Sequence, residues 1–465
     1  MMNANRLFSS DATIRGVSQR LYESVRDLPI ISPHGHTDPR WFAENKPFPN
    51  PAELFIQPDH YIFRMLYSQG IRLETLGIPQ VDGRQGADPR EVWRIFAKNY
   101  FLFRGTPTRL WMDFALSEVF ELPDRLHMGN ANQYYDVISK KLATPEFLPR
   151  ALFEKFNIEL LSTTDAAVDS LEYHKAIKAS GWKGRIIPTF RPDAVIDAEY
   201  SGFQENLKKL GEIADEDTFS WRGYLEALRL RREYFKLNGA TATDHGHLTA
   251  QTADLSELDA EKLFRRVSTN RMGPGDVELF QAQMLTEMAG MSADDGLVMQ
   301  LHPGSIRNYN TPIYEKFGRD KGADIPSPTE YVRALRPLLN KYGNEPNFSL
   351  ILFTLDESTY SRELAPLAGH FPSVKLGPSW WFHDSPEGMM RFREAATETA
   401  GFYNTVGFND DTRAFLSIPA RHDVARRVDS AFLARLVAEH RIDGDEALEL
   451  IKDLTVNLVR KAYKL

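Results

Sequence analysis

Pro33-His34-Gly35-His36 sets two imidazoles two residues apart, just past a short apolar run, Leu28-Pro29-Ile30-Ile31. On an extended backbone, residues i and i+2 point the same way. Both rings would therefore face one point at the end of a strand, with Gly35 giving the backbone room. The chain has no cysteine, so any metal must be held by His, Asp or Glu. His302, in Leu301-His302-Pro303-Gly304, and Asp411, in Asn409-Asp410-Asp411-Thr412-Arg413, follow further apolar runs. With His34 and His36 they make a mixed N/O set suited to one divalent ion, with zinc the first expectation and manganese another. Each has a plainer reading alone: His302 as a loop histidine, Asp411 as a helix cap.

Arg191 and Arg413 each sit just past an apolar run. A guanidinium grips a carboxylate with two parallel hydrogen bonds, so the pair points to an anionic substrate. The plainer reading is an internal ion pair with Asp193 or Asp411. Trp380-Trp381 could stack on a sugar ring or simply pack. A second H-x-H, His245-Gly246-His247, follows a weaker strand. There Asp244 or His245 is expected to face the site in a supporting role, with His247 an ordinary polar loop residue. Tyr61, in Asp59-His60-Tyr61, reads locally as a helix start, and nothing near it marks it as catalytic.

Eight short apolar strands could position these groups: 28–31, 158–161, 186–190, 240–243, 297–301, 350–353, 374–377 and 405–408. Amphipathic stretches such as Asp276 to Met291 and Asp423 to Glu439 lie between them. Strands alternating with helices predict a parallel sheet. Polar residues gathered on the C-terminal side of nearly every strand predict a (β/α)8 TIM-type barrel, whose active site lies at that mouth. An open doubly wound sheet gives no reason for that gathering, and no G-x-G-x-x-G follows the first strand. About 120 residues separate the first two strands, far more than a crossover helix needs. The expected division is a barrel of residues 1–37 and 156–465, with residues 38–155 a helical insertion covering the mouth and excluding water. Helices are expected over 91–103, 109–122 and 133–142, with a turn-rich break at 82–89.

At 465 residues the chain is long enough for a large α/β domain with insertions. A net charge of −8 argues against a nucleic-acid surface, and the cluster Arg229-Leu230-Arg231-Arg232 is expected on a solvated helix face. No apolar run approaches membrane-spanning length, and the first residues lack the apolar core of a signal peptide. The cytoplasm is the default location, with no membrane partner.

The ensemble Ile31-Ser32-Pro33-His34-Gly35-His36-Thr37-Asp38, Asp59-His60-Tyr61, Thr189-Phe190-Arg191-Pro192, Asp244-His245-Gly246, Gln300-Leu301-His302, Trp380-Trp381 and Asp410-Asp411-Thr412-Arg413 closely resembles the uronate (glucuronate) isomerases of the amidohydrolase superfamily. The resemblance spans essentially the whole chain. It implies a metal-dependent aldose–ketose isomerase that converts D-glucuronate to D-fructuronate and D-galacturonate to D-tagaturonate. It places the metal on His34, His36 and Asp411 and leaves His302 as ligand or substrate contact. It brings Tyr61 and Arg413 into the catalytic group, Arg191 to the substrate carboxylate, and His60, Trp380 and Trp381 to the substrate. Size and family imply a homo-oligomer. The fourth strand ends without an evident bridging lysine or glutamate, and the sixth ends in Asp356-Glu357 rather than histidine. Both departures favour one metal over a binuclear hydrolase.

Aldose–ketose exchange moves a proton between adjacent carbons, which needs a base and a stabilised enediolate. The expected roles are a metal or Arg413 polarising the aldehyde oxygen and Asp411 shuttling a hydroxyl proton. Tyr61, its pKa lowered by a cation such as Arg413, would move the carbon-bound proton, and Arg191 would hold the C6 carboxylate. The alternative is a metal-dependent hydrolase or decarboxylase on the same barrel, with a non-catalytic binding protein third.

Overall fold

Short runs of apolar residues form parallel strands along most of the chain, and their C-terminal ends carry the polar residues singled out above. The computed structural model describes residues 2–84 and 86–465. Gln85, inside the expected break at 82–89, lies outside the described residues. Strand β1 (Ile30–Ser32) pairs with β2 (Ile158–Ser162), and β2 with β3 (Arg185–Ile187). Strands β4 (Ala242–His245), β5 (Val298–Leu301), β6 (Leu350–Leu352) and β7 (Val374–Leu376) pair in that order. Every one of these pairings is parallel. Two-residue extensions, Asp165–Ala166 and Phe190–Arg191, continue the lines of β2 and β3 and join them to β4 through Phe190 opposite Thr243.

Three strand expectations are corrected. The strand expected at 186–190 is broken, because Pro188 has no N–H to give the ladder. The fourth strand begins two residues later than expected, so Asp244 and His245 lie within it. The eighth, expected at 405–408, is reduced to a single parallel bridge between Thr405 and Leu376. Gly407 ends it: its φ of +80° leaves extended space, and a Cβ there would meet Val459 Cγ2 at 2.6 Å.

Ile31, Leu160, Ala242, Val298, Ile351 and Val406, drawn from six of these segments, form one buried apolar cluster with Val456, Val459 and Tyr463 of the C-terminal helical segment. Between β1 and β2 the chain is helical: Pro39–Glu44, His60–Ser68, Pro89–Lys98, Pro107–Phe114, Ala131–Leu142 and Pro149–Lys155. Asp38, Asp59, Asp88 and Thr106 cap the first four by accepting backbone N–H groups. Trp93, Phe96, Phe55 and Phe120 anchor the apolar core of this region. The helices expected at 276–291 and 423–439 are observed at Asp276–Asp295 and Ile418–Ala438.

The solvated-face reading of 229–232 fails for two of its three arginines. Arg231 and Arg232 are buried on the helix Trp221–Leu237. Arg231 Nε donates to the Ala167 carbonyl at 2.9 Å, and Arg232 holds Asp295 at 2.6 Å. A buried guanidinium requires such partners; only Arg229 lies on the exposed face, 3.9 Å from Glu226. Among the described residues no helix is long and apolar enough to cross a membrane.

Candidate active site

β1 delivers His34 and His36, β4 delivers Asp244, β5 leads into His302, and the segment after the Thr405 bridge delivers Asp411 and Arg413. All of these but Asp244 line one cavity of about 320 Å³, together with His60, Tyr61, Arg191, Trp380 and Trp381. Of the site residues singled out in the sequence, those from the fourth strand do not border this space; Asp244 meets it through His34, His302 and Arg191.

His34, His36 and Asp411 each offer a ligand atom within 4.8 Å of the others. Asp411 Oδ1 lies 3.4 Å from His34 Nε2 and 3.2 Å from His36 Nε2. Ligands about 2 Å from a tetrahedral ion sit roughly 3.3 Å apart, so the spacing fits a divalent cation. Asp411 Oδ1 and His34 Nδ1 are buried without a hydrogen-bond partner among the described residues, an arrangement that is costly unless something else satisfies them. The backbone is held to this task as well: Asp411 has φ +37°, a strained value for a residue with a Cβ. Its other carboxylate oxygen accepts from Trp380 Nε1. Burial opposes ionisation of Asp411, yet His34 and His36 hold its carboxyl well below the usual range.

Asp244 is the fully buried hub beside this cluster. Its Oδ1 lies 2.8 Å from His302 Nε2 and 3.8 Å from His34 Nδ1, and its Oδ2 lies 3.3 Å from Arg191. Burial would raise its pKa, but His302, His34 and Arg191 overcome this and keep it strongly depressed. Of the two candidates on the fourth strand, Asp244 therefore faces the site. His245 turns away, with Nε2 3.0 Å from Thr243 Oγ1. His247 is not an ordinary polar loop residue: it is buried, with its ring 6.3 Å from that of His245.

Arg191 carries the internal ion pair that its position left open. Its Nε donates to Asp193 at 2.8 Å, in addition to the contact with Asp244. Arg413 is half-exposed and lies 3.3 Å from Asp320. His60 sits against Tyr61 and Trp381, with ring centroids 4.9 Å and 5.6 Å away. Burial and then the Arg413 charge push its pKa down to about 3, so its ring stays neutral.

Tyr61 overturns one expectation. Its pKa is raised well above the ordinary phenol value, first by burial and then by the negative charge of Asp384. Two guanidinium carbons lie near the phenol ring centroid, Arg64 at 5.8 Å and Arg421 at 5.9 Å; the charge of Arg421 lowers the pKa but does not outweigh those effects. The phenol donates to Asp384 Oδ1 at 3.0 Å and accepts the Phe382 N–H at 3.0 Å. Asp384 and Arg421 are the residues that sequence reading missed. The nearest signal was the polar stretch His383-Asp384 after Trp380-Trp381; Arg421, inside a helix, carries none.

The glucuronate isomerase family model matches residues 5–463 of the chain. The chain belongs to the glucuronate isomerase family. A uronate isomerase of Phenylobacterium zucineum is 61% identical over 464 residues, covering 100% of this chain and 97% of that protein. The crystal structure of glucuronate isomerase from Caulobacter crescentus superimposes with a TM-score of 0.99 at 61% identity, covering 100% of this chain and 97% of that one. Uronate isomerase from Thermotoga maritima gives a TM-score of 0.92 at 29% identity, covering 100% and 99%. As a glucuronate isomerase family member, this chain is an enzyme of the isomerase class.

Proposed function

We propose that this chain interconverts D-glucuronate with D-fructuronate and D-galacturonate with D-tagaturonate, with one divalent metal held by His34, His36 and Asp411. The observation that carries the reading is the meeting of that His/Asp cluster, a neutral phenol and two arginines around one cavity. When bound, the metal supplies Lewis-acid polarisation of the substrate oxygen beside the proton being moved. Zinc is the first choice for a His/Asp set and manganese the second.

The remaining work falls to side chains. Arg191, already anchored by two carboxylates, presents its outer N–H groups to the C6 carboxylate of the sugar acid and fixes its orientation. Trp381 offers a ring face, and neutral His60 offers an N–H to a substrate hydroxyl. Arg413 stabilises the negative charge that develops on the enediolate. Asp411 takes and returns a hydroxyl proton, and Tyr61 Oη carries the carbon-bound proton from C2 to C1. His302, seated on Asp244, is a substrate contact rather than part of the compact ligand cluster.

The reading includes a closed (β/α)8 barrel of residues 1–37 and 156–465 and a helical insertion, 38–155, over its mouth. The shared apolar cluster of Ile31, Leu160, Ala242, Val298, Ile351 and Val406 supports closure. So does the His36 N–H, which donates to the Thr412 carbonyl at 3.1 Å across the gap between first and last segments. His60 and Tyr61, which begin a helix of the 38–155 region, line the cavity and support the cover. A cytoplasmic homo-oligomer acting on a small hexuronate completes the picture, to be checked by light scattering and fractionation.

The test is ketose formation from D-glucuronate and D-galacturonate before and after chelation, with zinc or manganese restored. Turnover that disappears with the metal and returns with it is expected. No ketose under any metal condition would overturn the assignment.

A further inference from the structure

A phenol that moves a carbon-bound proton must dispose of its own. Among the described residues Tyr61 has one outlet. Its hydroxyl accepts the Phe382 N–H at 3.0 Å and donates to Asp384 Oδ1 at 3.0 Å. The other oxygen of that carboxylate, Oδ2, is held by Arg421 Nη1 at 2.8 Å. Arg421 is itself fixed: Nε donates to Ser417 Oγ at 3.1 Å, Nη1 to the Asp410 carbonyl at 3.2 Å, and the guanidinium carbon lies 3.5 Å from the Trp111 ring centroid. Asp384 and Arg421 are buried. None of this is needed merely to bury a tyrosine, whose hydroxyl is satisfied by one partner.

We propose that Asp384 is a positioning residue for Tyr61 that takes up the phenol proton while Tyr61 receives the proton of substrate C2. This rests on the role given to Tyr61 above. In the forward step the C2–H bond breaks and its proton bonds to Tyr61 Oη. At the same time the original Tyr61 O–H bond breaks and that proton bonds to Asp384 Oδ1. The electron pair left at C2 enters the enediolate. In the second step Tyr61 gives a proton to C1 and regains one from Asp384, so protons balance and no redox partner is involved. The tyrosine never becomes a free phenolate, in keeping with a hydroxyl whose surroundings oppose ionisation. Arg421 keeps the carboxylate in place in both states and favours return of the proton.

The experiment measures kcat and KM for D-glucuronate, on zinc-loaded or manganese-loaded full-length protein, for Tyr61→Phe, Asp384→Asn, Asp384→Glu and the double variant Tyr61→Phe/Asp384→Asn. Circular dichroism and melting accompany each. A relay predicts that Asp384→Asn lowers kcat at least about 100-fold, the scale of lost proton-transfer catalysis, with KM within about twofold. Asp384→Glu should recover much of kcat, and the double variant should be no slower than Tyr61→Phe. Asp384→Asn turning over within threefold of the parent, with Tyr61→Phe inactive, would overturn the relay alone. Normal turnover by Tyr61→Phe would overturn the tyrosine role and the relay with it. If Asp384→Asn melts early and Asp384→Glu folds normally but stays as slow as Asp384→Asn, the relay is also overturned.

Discussion

Arg421→Met is expected to destabilise the fold by about 4 kcal/mol, in the range for stripping a buried charge of its partner. The figure follows from what the guanidinium does. It is 3% exposed, and it donates to Asp384, to the Asp410 carbonyl and to Ser417. It also stacks on Trp111 at 3.5 Å, a contact worth about 2 kcal/mol when desolvated. Methionine fills much of the volume but leaves the Asp384 carboxylate buried without a cation, which alone costs about 3–5 kcal/mol. The two costs overlap, because both describe the same charge, so they do not simply add. Arg413→Met supplies the contrast. Arg413 is 41% exposed and pairs with a carboxylate that is equally exposed, so its loss should cost no more than about 1 kcal/mol. Urea unfolding followed by tryptophan fluorescence reads both, and the double variant Asp384→Asn/Arg421→Met closes a cycle. Removing both charges should cost clearly less than the sum of the single changes. Equal losses for Arg421→Met and Arg413→Met, or strict additivity in the cycle, would refute the claim that a buried ion pair joins these segments.

Asp411→Asn should lower bound zinc from one ion per chain toward none while the circular dichroism spectrum is kept; elemental analysis after dialysis checks this, and full occupancy would remove Asp411 from the ligand set. Gly407→Ala should destabilise by about 2–4 kcal/mol, since an L side chain is strained at φ +80° and the added Cβ would press on Leu454 O at 2.7 Å as well as on Val459; an unchanged melting temperature would contradict it. His174 is buried, and burial pushes its pKa down to about 4 from an ordinary value near 6.5. Between those two values the unfolded chain binds the proton and the folded one does not. The stability due to neutral His174 is therefore complete above pH 6.5 and is lost as pH falls to 4, by about 3 kcal/mol at most. Asp165, raised to about 7 by burial, acts with the opposite sign, losing stability as pH rises through 7. The stability gap between the parent and His174→Gln should accordingly narrow on going from pH 7 to 4, and a gap independent of pH would rule out a neutral buried imidazole there.

Much of the site could be read along the chain because its key signals are local. Two histidines at i and i+2 after an apolar run must share a side of an extended backbone, and Asp38, Asp59 and Asp88 each cap the helix that follows them, a proline leading it after Asp38 and Asp88. Apolar runs interrupted by polar C-terminal ends located most of the strands and, with them, the side on which His34, His302 and Asp411 gather. Pairing over long separations could not be read this way. Tyr61 meets Asp384 across 323 positions, and nothing in Asp59-His60-Tyr61 specifies that carboxylate. Arg231 and Arg232 look like members of a solvated cluster because charge alone does not reveal that Asp295 and the Ala167 carbonyl wait to pair with them. The expected strand at 405–408 has adequate β-propensity, yet Val459 and Leu454 crowd Gly407 and turn the chain away. The sequence by itself determined which groups are available and on which end of their elements they stand, since backbone periodicity is a short-range property. Only the tertiary structure decided which charges face each other in a desolvated space, and so whether Tyr61 is an anion or a neutral acid.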